Sequence, residues 1–117
     1  MSSRPLSEKK EESMIVSTTD SIPGKEIKEI LGIARGNVVR AKHIGKDIMA
    51  SLKGIVGGEI DQYTELMTDA RDQAFERMIT DAQKQGANAV INVRFITSMI
   101  AQTMSELLAY GTAVRYE

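Results

Sequence analysis

The stretch DQYTELMTDARDQAFERMITDAQKQG, Asp61 to Gly86, carries the strongest periodic pattern in the chain. Its apolar residues Leu66, Met67, Ala70, Ala74, Phe75, Met78, Ile79 and Ala82 recur at i, i+3 and i+4, the spacing of one buried helix face. Asp61 stands ahead of this stripe as an N-cap, because a short carboxylate accepts hydrogen bonds from the free N–H groups of a first helical turn. Gly86 ends the pattern, as glycine commonly does past a helix C-terminus. A helix that is apolar on one face needs a partner layer, so the flanks decide the fold.

Upstream, Ile44, Ile48, Met49, Leu52, Ile55 and Val56 also fall at helical spacing, and Gly57-Gly58 reads as the stop of a first helix. Before it, Lys25 to Ala41 alternates imperfectly between charged and apolar residues. This predicts one long strand, or two strands with a bulge near Gly32 or Gly36. Ser21-Ile22-Pro23-Gly24 is a turn, and Met14-Ile15-Val16 a short strand. Residues 1–13 hold almost no large apolar side chain and cannot offset the entropy of ordering, so they read as a flexible tail ahead of one domain at 14–117.

Downstream, Ala89 to Ile96 is β-branched and partly alternating, a strand. Gln102 to Ser105 breaks the run, and Leu107 to Tyr116 reads as a last strand folding back as a hairpin. The expected order is β-β-α-α-β-β. That is an α+β fold: a mainly antiparallel sheet with two helices packed on one face.

At 117 residues, 42% hydrophobic and 26% charged, the composition is that of one globular domain. The longest uncharged stretch, Phe95 to Ser105, is too short to span a bilayer. The polar opening SSRPLSEKKEES has no apolar signal core, so a cytoplasmic location and no membrane partner are expected. The chain has no Cys, which excludes disulfides, thiolate metal cages and thiol nucleophiles, and it has one His. With a net charge of −1 there is no global attraction to polyanions, yet the charges are uneven. Arg35, Arg40, Lys42, Lys46 and Lys53 face only Asp47 in their segment, while Glu59 to Gln85 is mostly acidic. Basic and acidic halves fit either contact between protomers or two separately solvated faces.

RAKHIGKDIMA (Arg40–Ala50), IVGGEIDQYTEL (Ile55–Leu66), GANAVINVRF (Gly86–Phe95) and the ending ELLAYGTAV (Glu106–Val114) together resemble the YbjQ-like family, over about residues 14–117. The resemblance implies a small subunit similar to the dodecin-like fold that assembles into homopentamers, with no established activity and a label of heavy-metal binding.

The residues offer that label little. His43 and Asp47, at i and i+4, can share a helix face as two metal ligands, but a structural Zn²⁺ needs four. A metal ion therefore needs ligands from several protomers, whereas a capping or surface His43 needs none. His43, Asp47 and Ser51 do not form a triad, since the acid sits where the His should be. In Gly54-Ile55-Val56-Gly57-Gly58 a phosphate loop lacks its Lys-Ser/Thr, and a tight bend explains the glycines. Arg40, Lys42 and Lys46 can gather a small anion where protomers meet, but no aromatic accompanies them to stack a base, which argues against nucleic acid. Ile96, Met99, Ile100, Met104, Leu107 and Leu108 exceed what one sheet face hides, and such a surplus marks an interface. The expectation is a homo-oligomeric ring, its partner being itself, that binds or scaffolds. The alternative is a hydrolase-type enzyme with a site between protomers.

Overall fold

The structure, a computed structural model, describes residues 14–41, 57–102 and 104–117, and of residues 57–63 the backbone alone. The elements are β1 (Ile15–Val16), β2 (Ile27–Ala41), α1 (Gly57–Lys84), β3 (Ala89–Ala101) and β4 (Met104–Tyr116). The strands form one four-stranded sheet in the order β1-β3-β4-β2. β4 runs antiparallel to both β2 and β3, and β1 runs parallel to β3.

The α+β class agrees with the sequence; the details correct it twice. Among the described residues there is one helix, not two, in the order β-β-α-β-β. Gly57 and Gly58 lie inside α1, and Asp61 lies within the helix and is not its N-cap. Glycine costs only about 1 kcal/mol in a helix, too little to stop one whose apolar stripe is being buried. The segment 44–56, where the other helix was expected, lies outside the described residues. The sheet is also mixed, because the short N-terminal strand pairs parallel with β3. Periodicity identifies a strand but does not choose its neighbour.

Local chemistry explains the remaining boundaries. In Ile22-Pro23-Gly24-Lys25 the Lys25 N–H donates to the Ile22 carbonyl at 3.0 Å, and Gly24 has φ 78°. Proline second and a left-handed glycine third make a type II turn. Gly24→Ala meets no atom within 4 Å, so its cost is the backbone conformation alone, about 1 kcal/mol in a urea melt. α1 ends in a Schellman motif: Gly86 has φ 87°, and the Ala87 N–H reaches back to the Ala82 carbonyl at 3.1 Å. The expected irregularity near Gly32 is present as a register shift between Ile30 and Gly32. The hairpin is tighter than the sequence suggested, since β3 runs to Ala101 and Ala101 already pairs with Met104.

α1 packs on β2 and β4 and barely touches β3. Its stripe of Ala70, Ala74, Met78 and Ala82 is fully buried against Ala34, Val38, Val90, Val93, Leu107, Ala109 and Ala113. The small residues bring helix and sheet close together. A bulge at Asn92, whose φ is 54°, keeps Val90 and Val93 both on the helix side although they are three apart. On the opposite face, Ala89, Ile91 and Val114 are covered by Ile15, Ile22, Ile27 and Tyr116. That second cluster covers only one end of the sheet.

Candidate functional site

Of the anion- and metal-binding candidates read from the sequence, Arg40 alone is described. It sits near the end of β2, and its Nη2 lies 3.3 Å from Asp69 Oδ2 on α1. Gln73 Nε2 donates to the same oxygen at 3.1 Å. Arg40 therefore ties strand to helix through Asp69. Both partners are partly exposed, so Asp69→Ala should cost only about 0.5 kcal/mol in a denaturant titration. Lys42 and Lys46, the other anion candidates, and His43 and Asp47, the metal pair, lie outside the described residues.

Two grooves flank α1. One, of about 750 Å³, runs along β2 and is lined by Arg35, Asn37, Arg77, Thr80, Asp81 and Lys84 among others. Part of its polar lining is already engaged. Arg77 Nη1 donates to the Asn37 carbonyl at 2.6 Å, and Asp81 Oδ2 accepts from the Arg35 backbone N–H at 3.0 Å. The other groove, of about 630 Å³, lies on the β3 side and includes Thr68, Arg71, Asp72, Phe75 and Phe95. The two phenyl rings stack there at 6.3 Å between centroids and 16° between planes.

For the metal, the test is the donor set. Among the described residues no three of His, Cys, Asp and Glu come together to hold an ion, and the chain has no Cys and one His. A soft heavy metal seeks thiolate or imidazole, so the described residues do not fit it.

Among the described residues, the exposed surface also includes a broad apolar area. Cross-strand pairs share a sheet face, and the face turned away from α1 carries rows running Arg35–Tyr110–Arg94, Asn37–Leu108–Ile96 and Val39–Glu106–Ser98. On that face Ile33 is 69% exposed, with Val39 and Ile96 at 44%. Phe95 and Met99 stand on the helix side, 46% and 77% exposed where α1 makes little contact with β3, and Ile100 follows near the hairpin. Of the surplus residues noted in the sequence, Leu107 is buried in the core, Met104 and Leu108 are half-buried, and Ile96, Met99 and Ile100 are exposed. In the sequence Ile33 and Val39 read only as apolar residues of an alternating strand, because alternation does not say which face is dry; the position of α1 over Ala34, Gly36 and Val38 shows it.

A family model described as "Putative heavy-metal-binding" matches residues 14–117. The chain is 61% identical over 102 residues to a UPF0145 protein of Colwellia psychrerythraea, covering 87% of this chain and 97% of that protein. It is 59% identical over 105 residues to a UPF0145 protein of Archaeoglobus fulgidus, covering 90% and 97%. A crystal structure of a protein of unknown function of the DUF74 family from Pediococcus pentosaceus superposes with a TM-score of 0.61 at 14% identity, over 89% of this chain and 98% of that one. That likeness concerns the fold alone. No described helix is long and apolar enough to cross a membrane.

Proposed function

We propose, for a chain that belongs to the YbjQ-like UPF0145 family, a role as a self-assembling binding or scaffolding module, with a closed ring of five copies as the expected state. The observation that carries this reading is the exposed apolar surface around β3 and the outer sheet face, where Ile33, Val39, Ile96, Met99 and Ile100 are 44–77% exposed. Apolar surface gathered in this way costs free energy in water and is relieved by burial in an interface.

A second copy is the favoured occupant because the chain is complementary to itself. α1 presents the exposed acids Glu65, Asp69, Asp72 and Glu76 beside Arg71, Arg77 and Lys84, and the outer sheet face presents Arg35 and Arg94 beside Glu106, an excess of opposite sign on each. Two different patches in contact make a heterologous interface, which closes into a ring when the rotation between copies allows. Any bound ion or anion would then draw ligands from several copies, which accords with the absence of a metal-holding trio among the described residues of one copy.

Light scattering on a sizing column tests the reading directly. The expected mass is five times the 12.9 kDa of the chain. A single species at 12.9 kDa across micromolar concentrations would sink it.

A further inference from the structure

We infer that the side chains of Arg77, Asp81 and Gln85 close the β2 edge of the sheet against strand addition, so that association through a strand edge proceeds only from the β3 side. A sheet with open ends has two edges, each a row of backbone donors and acceptors that invites another strand. Here the edges are β2 and, beyond the short β1, the outer part of β3.

On β2, residues alternate in the direction of their backbone groups, so Ile33, Arg35 and Asn37 share one direction. Each of them is met by α1. Arg77 donates to the Asn37 carbonyl at 2.6 Å, Asp81 accepts from the Arg35 N–H at 3.0 Å, and Gln85, just past the helix end, donates to the Ile33 carbonyl at 2.9 Å. The match is geometric. Four residues of helix rise about 6.0 Å and two residues of antiparallel strand about 6.8 Å, so positions 77, 81 and 85 run in step with 37, 35 and 33. The short Asp sits in the middle and the longer Arg and Gln stand at the ends, where the two repeats drift apart. Gln85 also donates to Asp81 at 3.4 Å, which steadies the pair. One step further along, Gln73 turns instead to Asp69, beside the Arg40 ion pair. Side chains reaching down from a helix packed on the face of β2 and β4 therefore occupy backbone groups that a fifth strand would use.

The β3 edge is different. Residues 17–19 bond to it as far as Val93 and Arg94, through Val93 N–H to the Ser17 carbonyl at 3.1 Å and Arg94 to the Thr18 carbonyl at 3.1 Å. From Phe95 to Ala101 no described strand pairs with that side, and Phe95, Ile96, Met99 and Ile100 flank it. This is the side offered to a second copy. The inference deepens the assembly reading, but it predicts separately what happens when the closed edge is opened.

The test compares Arg77→Ala/Asp81→Ala/Gln85→Ala with the parent protein by light scattering over a range of concentrations. Species larger than the parent, growing with concentration and accompanied by added β-sheet signal in circular dichroism, are expected. A folded triple variant with the parent's mass at every concentration overturns the inference, whatever that mass is. If the parent proves monomeric, the assembly reading fails while growth of the variant still upholds this one. Should the triple variant not fold, hydrogen exchange in single variants decides. Asp81→Ala should speed exchange at the Arg35 amide about tenfold, the factor carried by a hydrogen bond to a charged group. Asp81→Asn, which keeps an accepting oxygen, should restore most of the protection. Equal Arg35 exchange in the parent and Asp81→Ala would overturn the closure.

Discussion

Gly36→Ala is expected to destabilise the protein by about 3 kcal/mol, equivalent to roughly 10–20 °C in Tm for a domain of this size. Gly36 lies in the middle of β2, on the face toward α1 and between buried Ala34 and Val38. A Cβ built there overlaps the Ala74 carbonyl oxygen and the Met78 nitrogen and comes within 2.6 Å of Arg77 Cβ. The first two of these obstacles are helix backbone, so no rotamer change relieves the clash. Relief requires α1 to lift off the strand, which loosens the Ala70, Ala74, Met78 and Ala82 stripe at once. It would also stretch the Arg77 bond to Asn37. Thermal melts followed by far-UV circular dichroism measure the effect, and Gly24→Ala provides the contrast of an alanine with open space around it. A Gly36→Ala melt within about 2 °C of the parent would mean that helix and strand are not in the contact described.

The second large effect concerns assembly. If the chain assembles as proposed, Ile96→Glu/Met99→Glu should leave 12.9 kDa monomers that melt close to the parent's temperature. Ile96 is 44% and Met99 77% exposed in the single chain, so charge at these positions disturbs little of the fold. In an interface each side chain contributes about 1.5–3 kcal/mol by burial. Losing both, with carboxylates left to desolvate, weakens association by more than about a hundredfold. Gln83→Glu, an exposed change on α1 away from the apolar surface, is the control and should leave the mass unaltered. An unchanged mass in the double variant would remove Ile96 and Met99 from any interface.

Much of the local structure is legible in the residues. The α1 stripe from Leu66 to Ala82 is at least half-buried throughout, as its spacing requires. The turn at Pro23-Gly24, the irregularity near Gly32 and the helix end at Gly86 all follow from backbone conformations that only certain residues adopt cheaply. Gly57-Gly58 misled the reading because the same residues that end helices are also tolerated within them when packing outweighs their propensity. Arg77, Asp81 and Gln85 left a faint signal, a polar row at i, i+4 and i+8. Such rows also line ordinary solvated helix faces, and nothing in the spacing says that a strand edge lies opposite.

The sequence by itself determined the helix through Leu66–Ala82, the strands on either side of it, the turn at Pro23-Gly24, that Cys chemistry is excluded, and which family the residues resemble. These properties depend on spacing along the chain and on residue type. Only the tertiary structure decided that β1 lies parallel beside β3, that α1 sits over β2 and β4, and that Arg77, Asp81 and Gln85 bond to the outer backbone groups of β2. The reason is physical. An apolar stripe specifies that it must be covered but not by what, and the backbone groups of a strand edge are the same in every residue but proline. The choice of neighbour is made by the sum of long-range contacts: the Ala stripe pressed against Gly36, and the similar rise of four helix residues and two strand residues that lets Arg77, Asp81 and Gln85 reach the β2 edge.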